Sequence, residues 1–205
     1  MKNETIKKIT DLFLKYGIKS VSMDDIAREL CISKKTLYQY FSDKQDVVIK
    51  SVEYSIKEQI SKIEEFGKIQ SNNAIDILLL VSKELISNGT KINMNINYDL
   101  QKYYPKAWEV LTKHRQENVF ERISENIQKG IKEKLYRDNF NIDVISYFYM
   151  NHIETAFNNI VEKTNIGISE ILETLFIYHI RGIASNKGIK YIDLHLKNKK
   201  LKKYE

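Results

Sequence analysis

The amino-acid sequence predicts an all-α protein, and three observations support this prediction. Its 205 residues include only one proline and seven glycines, well below the usual share of either. Runs that alternate apolar and polar residues, as strands do, are missing, and apolar residues recur instead at intervals of three and four positions. The apolar content of 42% is enough for a substantial core. We therefore expect helices throughout, in one domain or two small ones.

The first helix is predicted from Asn3 to Tyr16. Asparagine is a favoured N-cap residue, and Ile6 and Phe13 belong to one apolar stripe at helical spacing. Gly17 follows directly and suits the left-handed residue that ends many helices. This segment therefore has a start, a buried face and an end.

Two short helices joined by a tight turn are predicted next, followed at once by a third. Ser22 and Asp25 have the spacing of a capping box, in which each side chain accepts a hydrogen bond from the backbone of the other. Ser33 supplies the same kind of cap to the second short helix, and the third helix begins near Lys44. Closely spaced helix starts, each with its own cap, indicate a compact helical motif.

The second short helix has two chemically different sides. At about 100° per residue, Leu37 and Phe41 share one side, while Lys35 and Gln39 lie on the other. Cationic, amide and hydroxyl groups on such a helix suit the edges of bases in a DNA major groove. Candidate base contacts are Lys35, Thr36 and Gln39, and candidate backbone contacts are Ser22, Ser33, Lys34, Tyr38, Tyr40 and Lys44. The alternative is an ordinary surface helix of a bundle.

These residues resemble the DNA-binding domain of the TetR family of transcriptional regulators, over roughly Ile6 to Val48. The matching positions are Phe13, Gly17, Ile26–Ala27, Ile32–Ser33, Thr36-Leu37-Tyr38, Tyr40–Phe41 and Lys44. One departure is Cys31, where the family usually has a turn glycine. If the backbone there needs a positive φ, the side chain costs about 1 kcal/mol. The resemblance implies a helix-turn-helix DNA-binding domain over residues 1–48.

Longer helices are predicted in the rest of the chain. The helix from Lys44 should reach about Phe66, and another should span residues 72–87. A single helical turn is expected at 98–102, and a helix from Pro105 to about Lys134 is expected to be interrupted near Gly130. Two strongly apolar helices should follow, over residues 142–163 and 169–186.

In the resembled family, the last long helices pack against their copies in a partner subunit, and the helices before them enclose a ligand cavity. The resemblance therefore implies a helical effector-binding and dimerisation domain over residues 49–205. Aromatic and polar residues suited to an effector pocket are Tyr98, Tyr103, Tyr104, Trp108, Tyr147, Phe148, Asn151 and His152. For each of these residues the alternative is plain core packing.

The distribution of charge and the single cysteine give two further indications. The net charge of +6 is concentrated at the ends, with +3 in residues 1–50 and +5 in residues 187–205, which fits contact with DNA phosphates near the N-terminus. A basic tail over 197–203 is either solvated or a further DNA contact. A single cysteine excludes an internal disulfide, and we expect it to be structural rather than a redox sensor.

No membrane or targeting signal is visible. No apolar run is long enough to span a bilayer, and the polar N-terminus is unlike a signal peptide, so the cytoplasm is the expected compartment. The four histidines are too scattered for a metal motif, and no cofactor is expected. We expect His152 and His179, which lie on apolar helix faces, to be core or interface residues.

Motifs of catalysis are also missing from the sequence. It contains no phosphate-binding loop, dinucleotide fingerprint, zinc-protease motif or nucleophile elbow. The prediction is a homodimeric regulator, most simply a repressor, that binds a pseudo-palindromic DNA operator and is released by an unknown small molecule. The alternatives are an effector-independent DNA-binding or partner-binding helical protein without a pocket and, less simply, a helical enzyme; activation in place of repression also remains open.

Overall fold

The computed structural model describes residues 2–68, 72–89, 96–156 and 166–197. Its helices are α1 (Lys2–Tyr16), α2 (Met23–Glu29), α3 (Lys34–Tyr40), α4 (Lys44–Lys68), α5 (Ala74–Gly89), α6 (Ile96–Tyr103), α7 (Pro105–His114), α8 (Phe120–Lys132), α9 (Ile142–Thr155), α10 (Ile168–Ile183) and α11 (Asn186–Lys197). A π-helical segment, Arg115–Val119, lies between α7 and α8. The only extended pairing within these ranges is an isolated bridge between Tyr136 and Ala184. The predicted all-α class is confirmed.

Several predicted boundaries are confirmed by their local geometry. Helix α1 ends at Tyr16, and Gly17 follows with a φ of 83°, donating its N–H to the Phe13 carbonyl at 2.8 Å. Pro105 begins α7, where its missing N–H has no helical partner to lose. Helix α4 starts at Lys44, and the Asp43 carboxylate caps it by accepting the Asp46 N–H at 2.8 Å.

The chain is helical from Pro105 to Lys132, close to the helix predicted from Pro105 to about Lys134, but it contains a π-helical segment that the sequence did not predict. The α-helical hydrogen-bond pattern is interrupted at Arg115–Val119, where the chain forms a π-helical segment. Gly130, the predicted breakpoint, stays inside α8 because it serves close packing: a Cβ there would overlap the ring of Tyr136. The helix ends at Lys132, two residues after the predicted interruption.

Two helix predictions are corrected by the structure, and two other predicted segments lie largely outside the residues that it describes. Helix α6 extends beyond the single turn expected at 98–102, since it buries Asp99 and Leu100. The helix expected to reach residue 186 ends at Ile183, and α11 begins at Asn186, with the Ser185 hydroxyl accepting the Gly188 N–H at 3.1 Å. The end of the predicted helix 142–163 and most of the tail 197–203 lie outside the described residues.

The chain divides into two compact units, and the first combines two separated stretches, Met1–Glu64 and Asn88–Glu117. Helices α1 to α3 and the start of α4 pack around fully buried side chains that include Ile9, Ile26 and Leu37. Leu100 from α6 and Ala107 from α7 are buried in the same cluster. Helices α1 to α4 therefore share their core with helices that lie much later in the sequence.

The second unit comprises Glu65–Ser87 and Asn118–Glu205. Its core is formed by α5 and α8 to α11, with Ile75, Leu172 and Ile180 among its fully buried residues. A hydrogen bond also joins α5 and α11, because the Asp76 carboxylate accepts the Tyr191 hydroxyl proton at 2.8 Å. Within the described residues, every helix is too short or too polar to cross a membrane.

Candidate nucleic-acid interface

Helices α2 and α3 are fixed by the caps that the sequence predicts. The Ser22 hydroxyl accepts the Asp25 N–H at 3.2 Å, and the Asp25 carboxylate accepts the Ser22 N–H at 2.9 Å, which completes a capping box. The Ser33 hydroxyl accepts the Thr36 N–H at 3.0 Å at the start of α3. Each serine side chain thereby satisfies one of the four N–H groups that the start of an α-helix leaves without a helical partner.

The turn between α2 and α3 is a Schellman motif with cysteine at its left-handed position. Cys31 has a φ of 54°, and its N–H donates to the Arg28 carbonyl at 3.1 Å. The next N–H, of Ile32, donates to the Ala27 carbonyl at 3.0 Å. Glycine is preferred at this position because it has no Cβ. The condition stated for Cys31 from the sequence, a positive φ, is therefore met.

Helix α3 buries one side and exposes the other. Leu37 is fully buried and Phe41 is 6% exposed, so both belong to the core of the first unit. The opposite side carries exposed Lys35, Tyr38, Gln39 and Tyr40, with Thr36 half-buried beside them. The structure thus brings the predicted base-contacting residues together on one outward surface, which we call the α3 face.

The two flanking lysines differ from Lys35 in their surroundings. The Lys34 ammonium forms an ion pair with the Asp24 carboxylate at 2.5 Å, whereas Lys35 has no ion pair among the described residues. The Lys44 Nζ donates to the Lys19 carbonyl at 3.3 Å and lies 5.7 Å from the centre of the Tyr104 ring. Partial burial lowers the pKa of Lys44, and the Asp99 and Asp25 carboxylates oppose that shift.

The predicted serine contacts are already engaged in the helix caps. The Ser22 hydroxyl donates to the Asp25 carboxylate at 2.6 Å, and the Ser33 hydroxyl lies 2.8 Å from the Thr36 hydroxyl. Both serines are exposed, so a phosphate could approach either one beside the free N–H groups of a helix start. Their contact with DNA stays a prediction.

Four predicted pocket residues lie in the first unit. Tyr98 and Tyr103 on α6 meet edge to face, with ring centres 6.2 Å apart, and both are largely exposed. The Lys102 Nζ donates to the Tyr98 hydroxyl at 2.5 Å. Tyr104 and Trp108 are half-buried against the core that α1 to α4 form. Tyr104 and Trp108 therefore pack against the same core as α2 and α3.

The other four predicted pocket residues lie on α9, in the second unit. Tyr147 and Phe148 are 57% and 56% exposed. The Asn151 amide donates to the Tyr147 carbonyl at 2.8 Å, and a ring nitrogen of His152 lies 2.6 Å from the Phe148 carbonyl. The exposure of the two rings is more than a lining residue of an enclosed site would show, whereas it suits a contact surface.

His179 on α10 is the histidine with the most altered surroundings. Its ring stacks on that of Tyr149, with centres 3.6 Å apart, and burial lowers its pKa to about 4. A neutral, stacked histidine is a packing residue, in agreement with the expectation for His179. His152 is exposed, so of the two roles expected for it the core role is wrong and the interface role stays a prediction. No group of His, Cys, Asp and Glu able to hold a metal ion occurs in the ranges that the structure describes.

Two residues that matter at this site were not found from the sequence. The Asp99 carboxylate on α6 accepts the Lys19 N–H at 2.8 Å, and the Lys19 Nζ donates to the Tyr103 hydroxyl at 2.9 Å. The two positions Lys19 and Asp99 are 80 residues apart. No local pattern links such distant positions, so sequence inspection had no signal to use.

A capped helix pair whose second helix exposes lysine and glutamine, with a half-buried threonine beside them, within an all-helical chain, defines a helix-turn-helix protein. Comparison with known proteins identifies its family. Residues 6–50 match the family model described as "Bacterial regulatory proteins, tetR family". The chain is also similar to the uncharacterized HTH-type transcriptional regulator YvaF of Bacillus subtilis (strain 168): 30% identity over 176 residues, covering 82% of this chain and 88% of that protein.

The chain belongs to the TetR family of bacterial transcriptional regulators, and it is a regulator rather than an enzyme. Solved structures share its fold. The reduced form of NemR from E. coli has a TM-score of 0.72 at 14% identity, with 90% of this chain and 98% of that chain covered. A protein of Saccharomonospora viridis solved in complex with choline has a TM-score of 0.73 at 17% identity, with the same coverage.

Proposed function

We propose that this chain is a repressor that binds a pseudo-palindromic DNA operator as a homodimer and is released by a small molecule. The observation that carries the proposal is the α3 face, where Lys35 and Gln39 stand outward beside the half-buried Thr36, while Leu37 anchors the helix beneath them. Amide and ammonium groups in this arrangement match the hydrogen-bonding edges of bases. We assign DNA reading to residues 1–48, and effector binding and dimerisation to residues 49–205.

Contacts in the proposed complex divide into two kinds. Lys35, Thr36 and Gln39 would read base edges, while Ser22, Ser33, Lys34, Tyr38, Tyr40 and Lys44 would hold the backbone. Backbone contacts set position and affinity, and base contacts select the sequence. Lys34 would have to exchange its ion pair with Asp24 for a phosphate, so we expect it to contribute less than Lys35. The regulator would act where its operator lies, in the cytoplasm.

Dimerisation is supported by exposed apolar residues on α9 and α10. Val144, Tyr147 and Phe148 follow helical spacing on α9 and are 46% to 57% exposed, and Tyr178 on α10 is 74% exposed. Large apolar side chains left in water at helical spacing mark an interaction surface. A second copy of the chain is the proposed occupant, because two α3 helices about 34–36 Å apart are needed to enter successive major grooves.

The oligomeric state tests this surface directly. Tyr147→Glu places a charge among the exposed apolar groups and should convert the dimer to a monomer in analytical ultracentrifugation. Gln128→Glu, at an exposed position of α8, makes the same change of charge elsewhere in the second unit and should leave the dimer intact. A wild-type protein that sediments as a monomer at micromolar concentration would refute the homodimer.

Sequence-specific binding is tested by selecting duplexes from a random pool with the purified protein. The proposal expects an inverted repeat whose half-sites are about one helical turn apart. Gln39→Ala should relax the preference at one position of each half-site, whereas Gln128→Ala on α8 should leave the motif unchanged. Recovery of no motif at low salt would refute the proposed function.

Release by an effector requires that the small molecule bind the free conformation better than the DNA-bound one. Trp108, half-buried beside Tyr104, is the candidate pocket residue that carries the largest apolar surface. A thermal-shift screen should find ligands whose effect disappears in Trp108→Ala. Choline belongs in the screen, since aromatic rings bind quaternary ammonium groups. Ligands unaffected by Trp108→Ala would place the pocket elsewhere, and no ligand at all would favour an effector-independent DNA-binding protein.

A further inference from the structure

A buried carboxylate from α6 lies within the first unit. Asp99 is only 6% exposed, and its Oδ2 accepts the backbone N–H of Lys19 at 2.8 Å. Lys19 belongs to the connection between α1 and α2, three positions before Ser22, which caps α2. A hydrogen bond to an ionised acceptor is stronger than one between neutral groups. Asp99 therefore holds the chain just ahead of the helix-turn-helix motif.

The other backbone polar group of Lys19 is held from α4. The Lys44 Nζ donates to the Lys19 carbonyl at 3.3 Å, and it also lies over the Tyr104 ring, 5.7 Å from its centre. Lys44 is the first residue of α4, and Tyr104 comes directly after α6. The α1–α2 connection, the start of α4 and the end of α6 are thus joined around the backbone of one residue. We call Lys19, Lys44 and Asp99 the α6 junction.

We propose that Asp99 is a positioning residue for DNA binding, which holds the start of α2 and Lys44 where they meet the phosphate backbone. This inference rests on the proposed function, because it assumes that Ser22 and Lys44 are backbone contacts. Under this inference, a residue of α6, outside positions 1–48, also supports the DNA-reading motif. Asp99 itself would not touch DNA.

The sign of the charge effect makes the proposal testable. Removing a carboxylate from a DNA-binding protein reduces its repulsion of phosphate and by itself strengthens binding. Asp99→Ala removes a negative charge but also leaves the Lys19 N–H without its acceptor. We therefore expect Asp99→Ala to weaken binding to the selected duplex by about tenfold, against the direction that charge alone would give.

Two variants of the full-length protein complete the comparison. Asp99→Asn also removes the charge but keeps an oxygen acceptor, and it should bind within about threefold of the wild type. Glu109→Gln removes a carboxylate at an exposed position of α7 in the same unit, and it should bind as well as the wild type or better. Affinities are measured by fluorescence anisotropy over a salt series, with thermal unfolding as a check on folding.

The salt dependence separates positioning from a loss of folded protein. If thermal unfolding shows that the protein stays folded across the salt series, a loss of folded protein cannot change the slope, whereas a displaced Lys44 removes one phosphate contact. Asp99→Ala should therefore reduce the slope of log K against log salt by about one unit. An unchanged slope, or binding as tight as that of Glu109→Gln, would overturn the proposal.

Hydrogen exchange on the wild type gives a test that needs no variant. If DNA binding favours the intact α6 junction, then by linkage DNA must slow exchange of the Lys19 amide. No added protection on binding the selected duplex would overturn the inference while leaving the proposed function standing. A wild-type protein that binds no duplex would instead refute the proposed function, and this inference with it.

Discussion

Replacing Cys31 by glycine should stabilise the protein. Cys31 is exposed and occupies the left-handed position of the turn between α2 and α3, with a φ of 54°. The hydrogen bonds of this turn come from the N–H groups of Cys31 and Ile32. They involve backbone atoms only, so glycine can keep both of them. Removing the Cβ therefore relieves the backbone without removing an interaction.

The expected gain follows from two opposing terms. A left-handed conformation costs an L-residue about 1–2 kcal/mol, which glycine avoids. Glycine also has more freedom in the unfolded chain, and this offsets about 0.4–1 kcal/mol of the gain. The net stabilisation should be about 0–1.6 kcal/mol, with a central value of about 0.8 kcal/mol. For a chain of this size the central value corresponds to a rise in Tm of about 1–4 °C.

Thermal unfolding followed by circular dichroism measures the effect. Cys31→Ala removes the thiol but keeps the Cβ, and it should unfold near the wild-type temperature. Lys134→Gly is an independent repeat, since Lys134 has a φ of 59° after α8 and the same pair of backbone hydrogen bonds around it. A Tm of Cys31→Gly at or below that of Cys31→Ala would refute the argument from backbone conformation.

Three other predictions concern DNA binding, pH and packing. Lys44→Ala should weaken binding to every duplex and lower the salt slope by about one unit, and an unchanged slope would remove Lys44 from the backbone contacts. Burial lowers the pKa of His179 to about 4, so between pH 6.5 and 4 this histidine is protonated in the unfolded chain but not in the folded protein. The free energy of unfolding should therefore decrease as the pH is lowered from 6.5 to 4, by up to about 1.4 kcal/mol per pH unit. Urea titrations of His179→Gln should show a shallower fall, and equal slopes would contradict this. Gly130→Ala should lower the free energy of unfolding by about 1–3 kcal/mol, because the added methyl group overlaps the ring of Tyr136. Gly67→Ala should cause no such loss, because a Cβ there meets nothing within 4 Å.

Features of the helix-turn-helix motif could be predicted because they are encoded within a few residues. The capping box of Ser22 and Asp25, the cap at Ser33 and the left-handed Gly17 each depend on neighbours in the sequence. The α3 face also follows from the angular spacing of one helix, since burial of Leu37 fixes the direction of Gln39. Local rules therefore sufficed for this part of the fold and of the candidate site.

Features that depend on distant contacts could not be predicted in this way. The bond from the Lys19 N–H to Asp99 joins positions 80 residues apart, and neither residue has a distinctive neighbour pattern. The π-helical segment at Arg115–Val119 contains no proline or glycine that could have marked it, whereas Gly130 makes room for the ring of Tyr136. Only the tertiary structure distinguishes a glycine that ends a helix from one that makes room for a ring.

The first unit draws its core from two stretches of chain, and this has a consequence during synthesis. Leu100 and Ala107, which complete the cluster around α1 to α3, leave the ribosome long after those helices do. At typical elongation rates of about 5–20 residues per second, the stretch from residue 65 to residue 117 takes roughly 3–10 s to translate. During that interval the nascent N-terminal helices expose apolar surface that α6 and α7 will later cover. Chaperones that bind exposed apolar segments would have time to engage the nascent chain before it closes.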